Sequence, residues 1–304
     1  MRFAKYHGTG NDFLLVQDLD DATPLSGELI AALCDRHRGV GADGLIRIVR
    51  GEGSDFVMDY YNADGNPSEM CGNGIRCLAK YVYERGFTDR REIDVSTRAG
   101  VKHLVLDASD GIVRMVTVDM GRPAFERKAI PMAGDPTATF IGQPFEADGR
   151  TYVGTALSMG NPHLVLFLDP AEDLGAVNCE RIGSMVEHHA AFPNRTNVEF
   201  AKVVDGRIHI RVWERGVGET MACGTGACAA LVACSLAGLT GRSAQLEFPG
   251  GLLEVAWRQD DHAFLTGPAV AVYDGDLDDA WLASASTPPE MVGRTSTSAK
   301  APAS

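Results

Sequence analysis

The sequence predicts an α+β protein made of two pseudo-symmetric homologous halves, each an antiparallel-rich curled sheet around a central helix, with a cleft between them. The main observation is a duplicated tetrapeptide: Cys-Gly-Asn-Gly begins at Cys71, and Cys-Gly-Thr-Gly begins at Cys223, 152 residues later. Each copy follows a strand-like run and a glycine-containing loop, and each opens a run of small residues that favours a helix. Each half is therefore expected to contribute one thiol to the shared cleft.

Other residues repeat at nearly the same offset. Asn62 and Glu214 each lie nine residues before the cysteine of their half. The segment 10–16, a Gly-Asn pair followed by apolar residues, has a partner at 160–166. Several registers that agree indicate a true internal duplication, and the length of each half suits a domain.

The repeat also suggests where the halves begin and end. We expect residues 1–120 to form the N-terminal half, completed by a returning strand within 268–283. The C-terminal half is expected over 121–267. Beyond it, Ser, Thr, Ala and Pro dominate residues 284–304, which predicts a disordered tail.

Alternating apolar residues and punctuating Gly and Asp residues predict the elements of the first half. Its strands are expected at 2–6, 13–16, 55–60, 93–95, 101–106 and 112–120. Its helices are expected at 29–35 and, after the first cysteine motif, at 74–85, where Gly86 ends the helical pattern.

The second half repeats this pattern with similar signals. Its strands are expected at 152–153, 164–167, 244–248 and 252–257, with a hairpin over 197–213. A helix is expected at 179–188, and another is expected in the small-residue run that the second cysteine motif begins. A last strand at 269–273 is expected to return to the first half.

Composition restricts the class of protein. With 304 residues and 45% hydrophobic content, the chain is long enough for two sizeable cores. A net charge of −13 argues against nucleic acid as a partner, because phosphates would be repelled. No signal peptide or membrane-spanning run is evident, and seven cysteines do not suit a disulfide framework, so we expect a cytoplasmic protein.

The two cysteine motifs predict a specific chemistry. Glycines after each cysteine leave the N–H groups at the start of the helix open, beside the positive end of its dipole. Such N–H groups bind carboxylates, and a helix N-terminus lowers the pKa of a nearby thiol. One sulfur can then remove a proton from carbon while the other returns one on the opposite face, without a metal or cofactor.

Other readings of the cysteines and motifs are less favourable. The remaining cysteines are expected to be small buried residues: Cys34, Cys77, Cys179, Cys228 and Cys234. Their spacing from the motif cysteines does not suit paired zinc ligands, so no metal site is expected. The glycines near residue 10 lack the third glycine and the helix of a dinucleotide loop.

Taken together, motifs spread from residue 7 to residue 226 resemble the diaminopimelate epimerase family. They lie at 7–13, 39–44, 62–65, 70–77, 160–163, 196–199 and 213–226. The resemblance implies a cofactor-independent, two-base conversion of LL-diaminopimelate to the meso form, for lysine and peptidoglycan synthesis. It also implies a small-molecule substrate, no membrane partner, and a homodimer of two-half subunits. Gly44 departs from the pattern, because some members carry Gln there.

The resemblance further implies roles for particular residues. Catalytic roles fall on Cys71, Cys223, His163 and Glu214. Substrate binding falls on the side chains of Asn11, Asn62, Asn161, Asn197, Glu214 and Arg215, and on the backbone of Gly72, Asn73, Gly224 and Thr225. Arg215 suits the distal carboxylate of diaminopimelate, because a guanidinium pairs with a carboxylate through two parallel hydrogen bonds.

Three alternatives stay open at this point. A proline racemase or hydroxyproline epimerase would share the thiol pair without needing Arg215. A thiol redox protein would use a disulfide between Cys71 and Cys223 and would need a reductase partner. A pure binding protein would keep its ligand affinity after loss of either cysteine.

Overall fold

The structure is a computed structural model that describes residues 1–285. This part of the chain forms 17 β-strands and five α-helices, which confirms the predicted α+β class. The tail expected at 284–304 lies outside the described residues, apart from Ser284 and Ala285 at the end of the last helix.

The strands form two series of eight that are arranged in the same way. The first series consists of β1 (Arg2–Gly8), β2 (Asn11–Gln17), β3 (Gly44–Arg50), β4 (Phe56–Asn62), β5 (Glu92–Thr97), β6 (Gly100–Ser109), β7 (Ile112–Gly121) and β17 (Val270–Asp276). The second consists of β8 (Phe140–Ala147), β9 (Arg150–Ser158), β10 (Pro162–Phe167), β11 (Asn197–Val204), β12 (Arg207–Glu214), β14 (Ser243–Phe248), β15 (Gly251–Trp257) and β16 (Ala263–Gly267). The short β13 (Gly218–Thr220) pairs with β12.

Both series follow one order of pairings. In the first, β17, β1 and β2 are antiparallel, β2 and β3 are parallel, and β3 and β4 are antiparallel. A parallel β4–β5 pair and antiparallel β5–β6–β7 complete it. The second series repeats this order from β8 to β16, and the two series join through antiparallel β7 and β16. This symmetry supports the two-half interpretation, while the exact boundaries stay a prediction.

Three hairpins depend on Asp-Gly turns at 110–111, 148–149 and 205–206. All six residues have φ between 50° and 77°. A two-residue turn with positive φ at both positions matches the right-handed twist of the flanking strands. Glycine adopts this conformation without steric cost, and Asp tolerates it better than most residues, so these three turns are specified by local sequence.

Five α-helices and a short 3-10 helix (Leu174–Ala176) complete the described chain, and the α-helices are α1 (Gly27–Cys34), α2 (Gly72–Glu84), α3 (Cys179–Glu187), α4 (Gly224–Leu236) and α5 (Asp279–Ala285). Helix α2 packs against β1, β2 and β7, from both ends of the first series, so the sheet curves around it. Helix α4 does the same with β9, β10, β15 and β16. Both are buried over most of their length, as the small residues of α4 allow. Among the helices of residues 1–285, none combines the length and apolar character needed to cross a membrane.

The sequence located most elements but missed several. Strands β3, β8, β13 and β16 and helix α5 were not predicted as such. Helix α2 begins at Gly72, two residues before the predicted start, and Cys71 is its N-cap. The expected strand at 152–153 is the nine-residue β9. The predicted return strand is β17, which pairs with β1.

Substitution of Ala230 tests how tightly α4 is enclosed. Ala230 is fully buried in the middle of the helix, so Ala230→Leu should lower the free energy of unfolding by about 1–3 kcal/mol through overpacking. Urea denaturation measures this change. Ala237→Leu, at the exposed end of the same helix, is the matched control and should shift stability by less than about 0.5 kcal/mol. Equal stability of the two variants would contradict the packing described.

Candidate active site

The site is built where the first residues of α2 and α4 touch. A β-carbon placed on Gly224 would lie 3.2 Å from the Cα of Gly72, and one on Gly72 would lie 3.4 Å from the Cα of Gly224. The absence of a side chain at Gly224 in particular lets the two backbones approach this closely, because a β-carbon there would be closer to Gly72 than nearly all real contacts. The positive ends of the two helix dipoles are thereby brought together from opposite halves.

The two cysteines occupy equivalent positions at this contact. Cys71 is the N-cap of α2, with φ −131° and ψ 119°, and Cys223 is the N-cap of α4, with φ −121° and ψ 121°. Cys71 is partly exposed and Cys223 is buried. The duplicated motif therefore places one thiol at the start of each central helix, as the sequence predicted.

Cys71 lies beside two asparagines. Its Sγ is 3.5 Å from Oδ1 of Asn11, which also accepts a 3.3 Å hydrogen bond from Nδ2 of Asn73. Nδ2 of Asn73 also donates to the carbonyl of Ala222 at 3.0 Å, which links the halves. Asn11 donates through Nδ2 to Asp43 at 2.7 Å. Asp43 therefore fixes the amide of Asn11 so that its oxygen faces the thiol.

Cys223 is enclosed by the first turn of its own helix. The N–H of Gly226 donates to its Sγ at 3.4 Å, and Oγ1 of Thr225 lies 3.4 Å from the sulfur. Nδ2 of Asn161 donates to the same Oγ1 at 3.3 Å. The sulfur of Cys223 is thus connected through Thr225 to Asn161, directly before β10.

His163 does not approach a cysteine directly but lies behind Asn161. Its Nε2 is 2.9 Å from Oδ1 of Asn161, and its Nδ1 is 2.6 Å from Oε1 of Glu199. Both His163 and Glu199 are fully buried. Glu199 was part of a sequence motif, but it was not predicted as a site residue.

Arg76 supplies a buried positive charge beneath the helix starts. Its guanidinium donates to the carbonyl of Gly72 at 2.9 Å, to Oδ1 of Asn73 at 3.0 Å and to Oγ1 of Thr9 at 2.8 Å. A further bond of 3.3 Å reaches the carbonyl of Pro268. These four acceptors are neutral, so the charge adds to the positive potential of the first turn of α2.

The pKa values of both thiols are raised rather than lowered. Burial raises the pKa of Cys71 to about 11, opposed by the N–H of Gly74, and the charge of Glu214 adds to the rise. Burial also raises the pKa of Cys223, and the charges of Glu214 and Glu199 act in the same direction. The expectation that helix N-termini would lower a thiol pKa was wrong in net direction, because burial and two carboxylates outweigh the N–H donors.

Glu214 links the two thiols electrostatically. Burial raises the pKa of Glu214. A hydrogen bond from Thr220 opposes this rise, and so does a hydrogen bond with Cys223. The charge of Glu214 also raises the pKa of Cys71. A carboxyl group with a raised pKa beside a thiol is suited to exchange a proton with it.

Asn197 and Arg215 form a separate part of the site. The buried amide of Asn197 donates to the carbonyl of Pro162 at 2.7 Å and accepts from the backbone N–H of Arg215 at 2.9 Å. The exposed Arg215 donates from its guanidinium to the carbonyl of Asn194 at 3.3 Å. Asn197 therefore ties the loop of Arg215 to β10.

Gly44 and Tyr60 explain the departure from the family pattern. A β-carbon on Gly44 would lie 2.6 Å from the carbonyl of Tyr61 and 2.8 Å from the ring of Tyr60. A glutamine would therefore collide with Tyr60, whose side chain takes up this space. Burial raises the pKa of Tyr60, and the charges of Cys71 and Glu214 add to the rise, so Tyr60 lies near the site. Asn62, at the end of the same strand, pairs through its backbone with Gly44.

Sequence reasoning did not select Glu199, Asp43 or Tyr60. A signal for Glu199 was available, because it is a lone carboxylate within the apolar run of β11, where four of its neighbours are buried. Asp43 and Tyr60 carried no comparable signal, because their roles depend on contacts between separate strands.

The thiols should differ in reactivity. At pH 8–9, iodoacetamide should alkylate Cys71 faster than Cys223, because Cys71 is more exposed and its pKa is raised less. Peptide mass spectrometry follows each site in the same molecules. Cys228, which is buried in α4 with its pKa raised to about 12, is an internal control that should react more slowly than Cys71. Faster alkylation of Cys223 would contradict these surroundings.

Known proteins are similar to this sequence over most of its length. The family model described as diaminopimelate epimerase matches residues 3–126 and 155–272. A diaminopimelate epimerase from Pelotomaculum thermopropionicum is 48% identical over 279 residues, covering 91% of this chain and 98% of its own. One from Moorella thermoacetica is 47% identical over 281 residues, covering 91% of this chain and 99% of its own.

Solved structures with the same fold are more distant in sequence. A PhzF-family phenazine biosynthesis protein from Bacillus anthracis has a TM-score of 0.66 at 17% identity, covering 91% of this chain and 98% of its own. A probable proline racemase from Agrobacterium radiobacter has a TM-score of 0.67 at 14% identity, covering 91% and 92%. These matches confirm the fold alone, whereas the sequence relatives confirm the resemblance in the motifs: the chain belongs to the diaminopimelate epimerase family.

Proposed function

We propose that this chain epimerises LL-2,6-diaminopimelate to the meso form by moving protons through Cys71 and Cys223. The family assigns the reaction, an amino-acid isomerisation that serves lysine biosynthesis. The thiol mechanism is supported by one observation above all, the contact between Gly72 and Gly224 that joins the starts of the two helices. The high identity to diaminopimelate epimerases favours this substrate over proline.

Each turnover moves one proton from carbon and one to carbon. The thiolate of one cysteine takes the α-proton, and the thiol of the other delivers a proton to the opposite face of the planar intermediate. The enzyme ends with the two protonation states exchanged, and no cofactor needs to take part. The reverse reaction uses the same two groups with their roles exchanged.

Formation of the thiolate needs a proton acceptor, because burial favours the neutral thiol. Glu214 suits this role for Cys223, since it interacts with that thiol and its own pKa is raised by burial. Transfer of the proton from sulfur to Glu214 leaves a thiolate beside a neutral carboxyl group, so the pair carries one negative charge throughout and two negative charges never lie side by side. We propose that His163 assists from behind Asn161.

The two helix starts suit the reacting carboxylate. The first backbone N–H groups of α2 and α4 have no acceptor within their own helix. They belong to Gly72, Asn73, Gly224 and Thr225. Together with the buried charge of Arg76, they would stabilise the negative charge that develops when the α-proton leaves. We propose that Asn11 and Asn161 hold the reacting amino-acid end from the two sides.

The distal amino-acid end needs a second set of contacts. The guanidinium of the exposed Arg215 can bind the distal carboxylate through two parallel hydrogen bonds. Asn62 and Glu214 would accept hydrogen bonds from the distal ammonium. Asn197 holds the backbone of Arg215 at 2.9 Å, so we propose that it contributes to binding by positioning that residue.

The setting of the enzyme is proposed on broader grounds. We propose a cytoplasmic homodimer that needs neither nucleic acid nor a membrane, in line with a net charge of −13. Exposed apolar side chains on β17, Val270, Val272 and Tyr273, offer a surface on which two copies could pair. We also propose that residues 1–120 with 268–283, and residues 121–267, act as the two halves.

Replacement of either thiol tests the mechanism. Cys71→Ser and Cys223→Ser should each lower kcat/KM for LL-diaminopimelate by at least about a thousandfold, because a hydroxyl is a much weaker acid and base than a thiol at neutral pH. The rate is measured by chiral chromatography of the product. Cys34→Ser changes a buried cysteine in another core and should keep near-normal activity. Near-normal rates in either active-site variant, or racemisation of proline alone, would overturn the proposal.

A second prediction tests the contact between the helices. Gly224→Ala should lower kcat/KM at least about tenfold, because the new methyl group separates the helix starts by a few tenths of an ångström and misaligns the thiols. Stability should change little, since alanine favours a helix.

The matched control is Gly241→Ala, where a β-carbon meets nothing within 4 Å. This variant should have wild-type kinetics. Unchanged kcat/KM in Gly224→Ala would show that the spacing of the helix starts does not limit the reaction.

A further inference from the structure

A continuous hydrogen-bonded path connects the buried Glu199 to the sulfur of Cys223. Oε1 of Glu199 is 2.6 Å from Nδ1 of His163, and Nε2 of His163 is 2.9 Å from Oδ1 of Asn161. Nδ2 of Asn161 donates to Oγ1 of Thr225 at 3.3 Å, and that oxygen is 3.4 Å from the sulfur. The path begins on β11 and ends at the start of α4.

Glu199 is unusual in its surroundings. Its side chain is fully buried, and its second oxygen, Oε2, has no hydrogen-bond partner among the described residues. A β-carbon on Gly226 would lie 2.7 Å from Oε1, so the carboxylate lies against the first turn of α4. A buried carboxylate with a free oxygen is costly, and fold stability alone gives no reason to keep it.

We propose that Glu199 is a positioning residue for Cys223: it anchors the ring of His163 and so, through Asn161, keeps the hydroxyl of Thr225 directed at the sulfur. This inference rests on the proposed function, in which Cys223 exchanges protons with substrate. Among residues 1–285, the side chain of Glu199 makes its hydrogen bond to His163 and not to the thiol.

The direction of each hydrogen bond supports this role. Nε2 of His163 donates to Oδ1 of Asn161, which leaves the amide nitrogen to face Thr225. Thr225 accepts from that nitrogen, so its own hydrogen is free to donate to the sulfur. A thiolate is stabilised by such a donor. If the ring of His163 turned, the amide of Asn161 would no longer have a fixed orientation.

Another charged group also acts on this thiol and has to be separated from the effect of Glu199. It is Glu214 on β12, whose charge raises the pKa of Cys223. The carboxylate of Glu199 acts on Cys223 in two opposite ways, because its charge disfavours the thiolate while its anchoring of His163 favours it. An experiment must hold the charge constant and change only the anchor.

Two substitutions achieve this separation. Glu199→Gln removes the charge but keeps an amide that can hydrogen-bond with Nδ1 of His163. Glu199→Leu removes the same charge and also the anchor. The rate of iodoacetamide alkylation of Cys223, relative to Cys71 in the same molecules and measured by peptide mass spectrometry from pH 7 to 10, reports the fraction of thiolate.

Alkylation of Cys223 should be about three- to tenfold slower in Glu199→Leu than in Glu199→Gln, which corresponds to the loss of one hydrogen bond to the sulfur. In a Thr225→Val background the two variants should react equally. Equal rates with Thr225 present would overturn the proposal, and so would a difference that persists in Thr225→Val. If Glu199→Leu does not fold, Glu199→Met replaces it in the same comparison.

The readout needs no turnover and therefore stands apart from the proposed function. Failure of the proposed function would appear as full epimerase activity in Cys223→Ser. Failure of this inference would appear as equal alkylation rates in the two Glu199 variants, whatever the activity of the enzyme.

Discussion

The whole site depends on the contact between two helix starts. Because Gly72 and Gly224 have no side chains, α2 and α4 approach until backbone meets backbone. The contact fixes where each N-cap cysteine lies and where the free N–H groups of both helices point. The eight-stranded series around each helix, joined through β7 and β16, hold the helices in this position. Duplication of one half therefore creates a site that neither half contains alone.

Burial of the site has a cost that the surrounding groups must offset. It strengthens electrostatic interactions within the site, but it also raises the pKa of Cys71 and Cys223. The N–H donors of the helix starts, Thr225 and the charge of Arg76 act in the opposite direction. Glu214, with its own pKa raised by burial, is the proton acceptor in the proposed mechanism. That mechanism depends on this balance and not on an intrinsically acidic thiol.

Much of this arrangement was predictable from the sequence, because the duplicated cysteine motif, the helices after it and the Asp-Gly hairpins are local signals. Strand β8 was missed because it contains glycine and proline, which favour loops. The sequence did not predict the direction of the thiol pKa shifts, because burial of the thiols depends on packing between strands that are distant in the chain. For the same reason Glu199 and Tyr60 were not selected, since their partners lie on other strands. Asn197 was expected to touch substrate, and its observed bonds suggest a positioning role instead.

In the proposed mechanism, two separate thiols act on opposite faces of one carbon. The most direct measurement is the conversion of LL-diaminopimelate in D2O, stopped early, with deuterium located by mass spectrometry in product and recovered substrate. The account predicts deuterium at the α-carbon of the meso product while the recovered LL isomer keeps its hydrogen, because different groups remove and deliver the proton. A product that retains the substrate hydrogen, or deuterium entering recovered LL-diaminopimelate as fast as product forms, would contradict it.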